Sequence, residues 1–260
     1  MNLQLAEKVV LVTGGAKGIG EGICRVLVAE GARVVLIDRD ETALANTVAM
    51  LTAAGGQVHG VVADLTQPAA CQQAVADALR WAGGRLDGLV NNAGVNDGVG
   101  LAAGTYETFM ASLHRNLVHY YLVTQTALPA LKASRGSIVN ITSKVAETGQ
   151  GGTSAYAAAN GGRNALTREW AVELLPDGVR VNAVVVAECW TPLYENFISH
   201  VPDPAATLAR IKARIPLGNR MTTPTEIANM VAFLLSAQST HTTGQLIHID
   251  GGYTHLDRAI

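Results

Sequence analysis

The sequence predicts an α/β protein with a doubly wound, seven-stranded parallel sheet and helices on both faces. Seven short runs rich in valine, isoleucine and leucine alternate with segments of helical periodicity. The runs lack polar alternation, which is typical of parallel strands that are covered on both faces. A glycine-rich turn joins the first run to the first helix, as such folds require. The 260 residues suit one large domain, so we expect a single domain over residues 1–260.

The predicted elements follow from residue type, spacing and flanking residues. Gly55-Gly56 and Gly83-Gly84 end the second and third helical segments. The strand predictions are 8–13, 33–37, 57–63, 86–90, 136–142, 179–186 and 245–249. The main helix predictions are 21–30, 41–54, 67–81, 106–131, 156–175 and 224–236. Residues 95–105 are glycine-rich and aperiodic, which indicates a loop.

The composition bears on partners and on cellular location. The net charge is −2, which gives no sign of a nucleic-acid or anionic-membrane partner. Cys24, Cys71 and Cys189 are few, odd in number and widely spaced, which fits a reducing compartment better than a disulfide framework. No basic-then-apolar leader precedes the first strand, and no apolar run approaches the roughly 20 residues that span a bilayer. We therefore expect a cytoplasmic protein.

The first glycine turn is a candidate phosphate-binding loop. It reads G-G-A-K-G-I-G over residues 14–20, between a strand and a helix. Glycines let the backbone approach a pyrophosphate, and the helix N-terminus offers free N–H groups. An ordinary glycine turn is the alternative, but the strand–turn–helix context favours a dinucleotide.

Asp38 ends the second predicted strand, eighteen residues after Gly20. A carboxylate here can accept hydrogen bonds from the adenosine ribose and would repel a 2′-phosphate, which favours NAD over NADP. Arg39 follows directly and could contact a 2′-phosphate, so NADP stays possible. A helix N-cap is the structural alternative for Asp38.

Ser143 and Tyr156 frame the segment on which the functional interpretation depends. It reads S-K-V-A-E-T-G-Q-G-G-T-S-A-Y-A-A-A-N, and Asn160 follows Tyr156 by one helical turn on the same face. This layout resembles the Ser…Tyr-x-x-x-Lys active site of the short-chain dehydrogenase/reductase family, with asparagine in place of lysine. T-G-x-x-x-G-x-G at the first turn and N-N-A-G over 91–94 match two further family signatures. The resemblance covers the whole chain.

The resemblance implies a Rossmann-type oxidoreductase that transfers hydride to or from a nicotinamide. Tyr156 would be the general base, Ser143 would orient the substrate oxygen, and Asn116 would act through water and interrupt its helix. Asp64 would contact adenine, although a helix cap is an equal alternative for it. The implied cofactor contacts are Gly14, Lys17, Gly18, Ile19, Gly20, Asp38, Arg39, Asp64, Leu65, Asn92, Ala93, Gly94, Tyr156, Asn160, Cys189 and Thr191. Family members commonly form homotetramers, and we expect the tail 253–260 to pack on a neighbouring subunit.

Asn160 weakens the expected base. A free tyrosine has a pKa of about 10, which nearby cations lower by favouring phenolate. Asn160 is neutral, and each pKa unit not recovered costs roughly 1.4 kcal/mol, about tenfold in active base. The sequence thus predicts weak activity near neutral pH and an alkaline optimum. Three explanations stand: an engineered substitution, compensation by another cation such as Lys144, or a cofactor-binding protein without turnover.

Several segments are similar to one branch, the bacterial L-fucose dehydrogenases, which oxidise the anomeric carbon of an aldose to a lactone. These segments are 91–98, 149–151, 167–171, 191–194 and 251–259. Polar candidates around the pocket suit a sugar, and a hydrophobic acyl chain would leave several of them unpaired. With Ser143 and Tyr156, the candidate substrate contacts are Asn96, Asp97, Lys144, Gln150, Glu188 and Trp190. A helical lid is expected at about 190–217.

Other chemistries have less support. A 3-oxoacyl-thioester or other carbonyl reductase is the enzyme alternative, and its carrier protein would require a basic entrance. Residues 152–156 lack the last glycine of the G-x-S-x-G hydrolase turn. The seven histidines show no paired-ligand spacing, so we expect no catalytic metal.

Overall fold

The computed structural model describes residues 1–256. It contains a seven-stranded, all-parallel sheet in the order β3-β2-β1-β4-β5-β6-β7, which confirms the predicted fold class. The strands are β1 Val9–Thr13, β2 Arg33–Asp38, β3 Val58–Val62, β4 Gly88–Asn91, β5 Ser137–Ser143, β6 Arg180–Val186 and β7 Leu246–Ile249. All seven predicted runs are strands, with ends shifted by one or two residues.

The helices cover both faces of the sheet. They are α1 Gly18–Ala29, α2 Glu41–Ala53, α3 Pro68–Trp81, α4 Tyr106–Leu113, α5 His119–Ser134, α6 Val145–Thr148, α7 Ser154–Glu173, α8 Pro192–Ser199, α9 Pro204–Lys212 and α10 Pro224–Leu235. Helix α1 begins at Gly18, three residues before the predicted start, and α7 begins at Ser154, two residues before it. In both places the preceding glycine-rich turn leads directly into the helix.

Strand β1 shows why the runs lack polar alternation. Val10 and Val12 pack into one core with residues of α1 and α10, whereas Val9 and Leu11 pack into a second core with α3 and α5. All four side chains are buried. A strand covered on both faces needs apolar residues at every position, so the doubly wound arrangement explains the pattern.

The strand order reverses at β1, which lies between β2 and β4. In open parallel sheets, ligands bind at the carboxyl ends of the strands beside such a switch point. The glycine turn and the N-N-A-G segment both start there. The topology therefore places the two predicted motifs in one crevice.

Two predicted helical regions are divided. The stretch predicted as one helix over 106–131 consists of α4, a π-helical turn His114–Val118 and α5. Asn116 lies in that turn, where the resemblance implied an interruption. The region predicted as a lid contains α8 and α9. Over residues 1–256, no helix combines the length and apolarity needed to cross a bilayer. Residues 257–260 of the predicted packing tail lie outside the described part.

Candidate active site

The glycine turn forms a close-packed cradle. A Cβ on Gly20 would lie 1.9 Å from the Gly14 carbonyl oxygen, so the helix start and the turn touch through backbone alone. Gly14 has φ +65°, and a Cβ there would lie 2.9 Å from Ala93 Cα. Side chains are thus excluded from the surface that faces the cleft at the N-terminus of α1. This cradle fits a dinucleotide pyrophosphate.

Asn92 and Thr13 fasten the cradle to the next strand. Asn92 Nδ2 donates to the carbonyl oxygens of Thr13 and Gly14, each at 3.0 Å. Thr13 Oγ1 accepts hydrogen bonds from the backbone N–H groups of Asn92 and Ala93 at 2.9 and 3.1 Å. The N-N-A-G segment therefore holds the turn in place, as expected for asparagines that link neighbouring strands.

Asp38 supports the same turn from the other side. One carboxylate oxygen accepts from the Ala16 N–H at 3.1 Å, and the other accepts from the Asp40 N–H at 3.1 Å. Asp40, not Asp38, is the N-cap of α2, because its side chain accepts from the Ala43 N–H. The cap alternative for Asp38 is therefore wrong, and its carboxylate lines the cleft.

A cleft of about 1150 Å³ runs from this cradle to the Ser143 loop and to α8. Ser143 and Tyr156 both line it, so the two hydroxyl-bearing side chains share one compartment with the glycine turn. The other predicted site residues on its wall are Gly14, Lys17, Gly18, Ile19, Gly20, Asp38, Arg39, Asp64, Leu65, Asn92, Ala93, Gly94, Asn96, Asp97, Lys144, Gln150, Glu188, Cys189 and Thr191. Three predicted residues are missing from the wall: Asn116, Asn160 and Trp190.

Asn160 and Asn116 are fully buried behind that wall. Asn160 Nδ2 donates to the Tyr156 carbonyl oxygen at 2.8 Å, within the same helix. Asn116 Oδ1 accepts from the Val95 N–H at 2.8 Å, and its Nδ2 donates to the Ser112 carbonyl oxygen. These amides use their polar atoms to hold neighbouring backbone. Trp190 instead lies at the surface, 38% exposed.

Arg163 is a site residue that the sequence interpretation missed. It lies on α7, is 3% exposed, and its side chain lines the cleft. Its Nη1 donates to Asn160 Oδ1 at 3.1 Å and to the Ile141 carbonyl oxygen at 3.2 Å, while Nε donates to the Asn116 carbonyl oxygen. Its Nη2 is buried without a protein partner, next to Gly94. The available signal was an arginine one helical turn after Asn160, on the face toward the sheet.

The opposite end of the cleft is polar and charged. Lys144 Nζ pairs with Glu188 and lies 3.8 Å from the centroid of the Tyr253 ring. Asp97 accepts from Ser112 Oγ at 2.8 Å and pairs with Arg115 at 2.9 Å. The Lys144 charge is therefore committed to a carboxylate. This makes Lys144 a weaker candidate for the cation that Asn160 lacks.

Two further titratable groups in the cleft are unsuited to proton transfer near neutrality. Burial, and then the charge of Arg163, lower the pKa of His119 to about 3. Burial raises the pKa of the Cys189 thiol to about 12. A neutral imidazole and a protonated thiol leave the phenol of Tyr156 and the hydroxyl of Ser143 as the proton-handling groups beside the cradle.

The fold and the cleft define a Rossmann-type oxidoreductase that binds a nicotinamide dinucleotide. A family model described as enoyl-(acyl carrier protein) reductase matches residues 14–254. The chain belongs to the short-chain dehydrogenase/reductase family.

Among its relatives, L-fucose dehydrogenase of Bos taurus is 38% identical over 97% of this chain and 91% of its own length. The crystal structure of Cj0485 dehydrogenase superposes with a TM-score of 0.94, at 41% identity, over 100% of this chain and 99% of the other. The 3-ketoacyl-(acyl-carrier-protein) reductase of Brucella melitensis, solved with NADH, has a TM-score of 0.87 at 30% identity, covering 96% and 100% of the chains. Actinorhodin polyketide ketoreductase, solved with NADPH, gives 0.91 at 31% identity, covering 96% and 98%.

Proposed function

We propose that this protein oxidises the anomeric hydroxyl of an L-fucose-like aldose to a lactone, with NAD as the preferred hydride acceptor. The observation that carries this proposal is the shared cleft, in which Ser143 and Tyr156 stand between the glycine cradle and a polar, charged end. The similarity to an L-fucose dehydrogenase supports the same substrate class.

Sugar hydroxyls suit the charged end of the cleft. Glu188 and Asp97 offer carboxylate oxygens as acceptors, and Lys144 and Arg115 offer donors. A ligand rich in hydroxyl groups can satisfy these groups while it displaces water, whereas an alkyl chain would leave them unpaired. Exposed Gln150 adds an amide at the cleft mouth.

The protein's part in the reaction is positioning and proton transfer. Ser143 orients the substrate oxygen by a hydrogen bond, and Tyr156 removes the hydroxyl proton as the carbonyl forms. A bound nicotinamide supplies the hydride acceptor for the carbinol carbon. The cradle, Asp38 and Asn92 fix the dinucleotide, so that the two reacting carbons meet beside Tyr156.

We assign to Arg163 the positive charge that a phenolate base needs nearby. Its guanidinium lines the cleft, it is always protonated, and it has no carboxylate partner among its hydrogen bonds. The free Nη2 donor is available to a ligand oxygen. Asn160 fits this assignment as an acceptor that anchors Arg163.

The preference for NAD rests on Asp38. Its carboxylate lies on the cleft wall and is fixed by two backbone N–H groups, so a 2′-phosphate at that point would meet a negative charge. The nearby Lys17 is paired with Asp40.

Steady-state assays with a panel of aldoses test the proposal. NAD and NADP are each offered with L-fucose, stereoisomeric aldoses and a simple secondary alcohol, and reduced nicotinamide is read by absorbance. L-Fucose-type sugars should give the highest kcat/KM, and the product should be a lactone. Tyr156→Phe is the control for contaminating activity. Cofactor binding without turnover of any sugar or ketone would support a non-catalytic cofactor-binding protein instead.

A 3-oxoacyl-thioester reductase is the second candidate. Arg210 and Arg214 line a small cavity with Glu188 and Tyr253 beside the main cleft, which provides basic groups at its edge. The similarity to a 3-ketoacyl reductase supports this candidate. Reduction of a 3-oxoacyl thioester with kcat/KM above that of every aldose would make it the better assignment.

Assembly and location are further parts of the proposal. We propose a cytoplasmic homotetramer, because the three cysteines are free and buried and because relatives of this family commonly form tetramers. Light scattering of the purified chain tests the tetramer directly.

A further inference from the structure

Three potential metal ligands converge outside the cleft. Glu147 lies on α6, His248 on β7 and His255 in the turn that follows β7. Glu147 Oε2 is 3.1 Å from His248 Nε2 and 3.6 Å from His255 Nε2, and the two imidazole nitrogens are 3.1 Å apart. None of the three side chains lines the cleft.

These separations match a tetrahedral ion. Zinc binds histidine nitrogen and carboxylate oxygen at about 2.0–2.1 Å, so neighbouring ligand atoms of a tetrahedron lie about 3.3–3.4 Å apart. The three observed separations lie on both sides of that value. They leave one ligand position open toward solvent, since Glu147 and His255 are exposed.

Protons alone satisfy this triad poorly. His248 Nε2 faces both Glu147 Oε2 and His255 Nε2 at 3.1 Å, and a single hydrogen on it can point at only one of them. If the nitrogen instead accepts from His255, two acceptor atoms face each other across the contact with Glu147. A divalent cation accepts all three lone pairs at once.

A built turn brings His255 to this position. Asp250 accepts from the N–H groups of Gly252 and Thr254, which folds the chain back after β7. The rings of His248 and His255 then lie edge to face, with centroids 4.2 Å apart. Both Asp250 carboxylate oxygens are used in the turn, so Asp250 supports the site and is not a ligand.

We propose that Glu147, His248 and His255 form a structural zinc site that fastens the C-terminal turn to α6. The site joins segments on both sides of the cleft end, because α6 follows Lys144 and the turn carries Tyr253, whose ring covers the Lys144 ammonium. Sequence spacing could not reveal it, because the ligands are separated by 101 and 7 residues. The inference does not depend on the proposed substrate.

Metal titration of the full chain tests the site. Protein stripped with a chelator is titrated with Zn²⁺ against a chromophoric competitor, and one ion per chain is expected. His248→Gln and Glu147→Gln should each weaken binding by at least about 10-fold. His241→Gln, which alters an exposed histidine outside the triad, is the matched control and should bind as the unaltered chain does.

Cobalt keeps the test decisive if a variant folds poorly. Co²⁺ in the unaltered chain should show the intense visible absorption of tetrahedral coordination, and added Zn²⁺ should abolish it. Uptake of no ion by the unaltered chain, a cobalt spectrum without tetrahedral bands, or equal binding by a folded His248→Gln variant would each overturn the proposal.

Discussion

The two halves of the cleft are built differently. The cofactor half is backbone: glycines in contact with one another and N–H groups that Asp38 and Asn92 hold. The substrate half is a set of side-chain pairs from distant segments, such as Lys144 with Glu188. Backbone geometry is set by a local strand–turn–helix motif, whereas side-chain pairs depend on the whole fold. We therefore expect substitutions in the first half to alter cofactor affinity, and those around Tyr156 to alter turnover.

Replacement of the base should give the largest effect. Tyr156→Phe removes the hydroxyl that takes the proton, and general-base catalysis contributes roughly 10²- to 10⁴-fold. We expect kcat to fall by that range, while the cofactor dissociation constant, measured by fluorescence titration, changes little. A variant that keeps its turnover, or that loses cofactor binding instead, would contradict the division between the two halves.

Removal of the buried cation should reduce turnover by about 10²-fold, the scale of one electrostatic donor in an active site. Arg163→Met takes away the charge and the Nη2 donor, so phenolate becomes less favoured and the rise of rate with pH should move to higher pH. Arg163→Lys keeps the charge and should restore part of the rate. Since the Ile141 and Asn116 carbonyls also lose donors, thermal unfolding is measured in parallel. A pH profile unchanged in folded Arg163→Met would exclude the assigned role.

Gly20→Ala tests the cofactor half. The new methyl group would stand 1.9 Å from the Gly14 carbonyl oxygen, so the turn must shift. A loss of about 1.4 to 2.8 kcal/mol of cofactor binding corresponds to a dissociation constant about 10- to 100-fold higher. Gly161→Ala is the matched control, because nothing lies within 4 Å of the position that a Cβ would take there. Equal cofactor affinity of the two variants would show that the cradle does not seat the dinucleotide.

Asn160→Lys distinguishes a missing cation from a replaced one. A lysine in this buried place would lie beside Arg163 Nη1, which is 3.1 Å from Asn160 Oδ1, and the two like charges would repel. The single variant should therefore gain no activity. The double variant Asn160→Lys/Arg163→Met should exceed Arg163→Met by about 10-fold, one pKa unit of recovered base. A clear gain from Asn160→Lys alone would mean that Arg163 does not supply the charge.

Sequence patterns predicted the sheet and the cofactor half well. Apolar runs, glycine turns and the Ser143 and Tyr156 spacing are local, and the topology then brings the strand ends together. Arg163 could not be found this way, because its importance depends on a buried contact with Asn160 and on carbonyls of β5 and the π-helical turn. Trp190 was placed in the pocket on position alone, whereas its backbone N–H donates to Thr222 and its ring is partly exposed.

The smallest expected effect concerns cofactor choice. Asp38→Asn keeps a side-chain acceptor for the turn but removes the charge that opposes a 2′-phosphate. The ratio of kcat/KM for NADP to that for NAD should rise about 5-fold, equivalent to about 1 kcal/mol. Arg39→Gln should move the same ratio the other way, because it removes a cation from the cleft wall. If both variants leave the ratio unchanged, the adenosine ribose does not lie at the end of β2, and the orientation proposed for the dinucleotide is wrong even where the rest of the cradle holds.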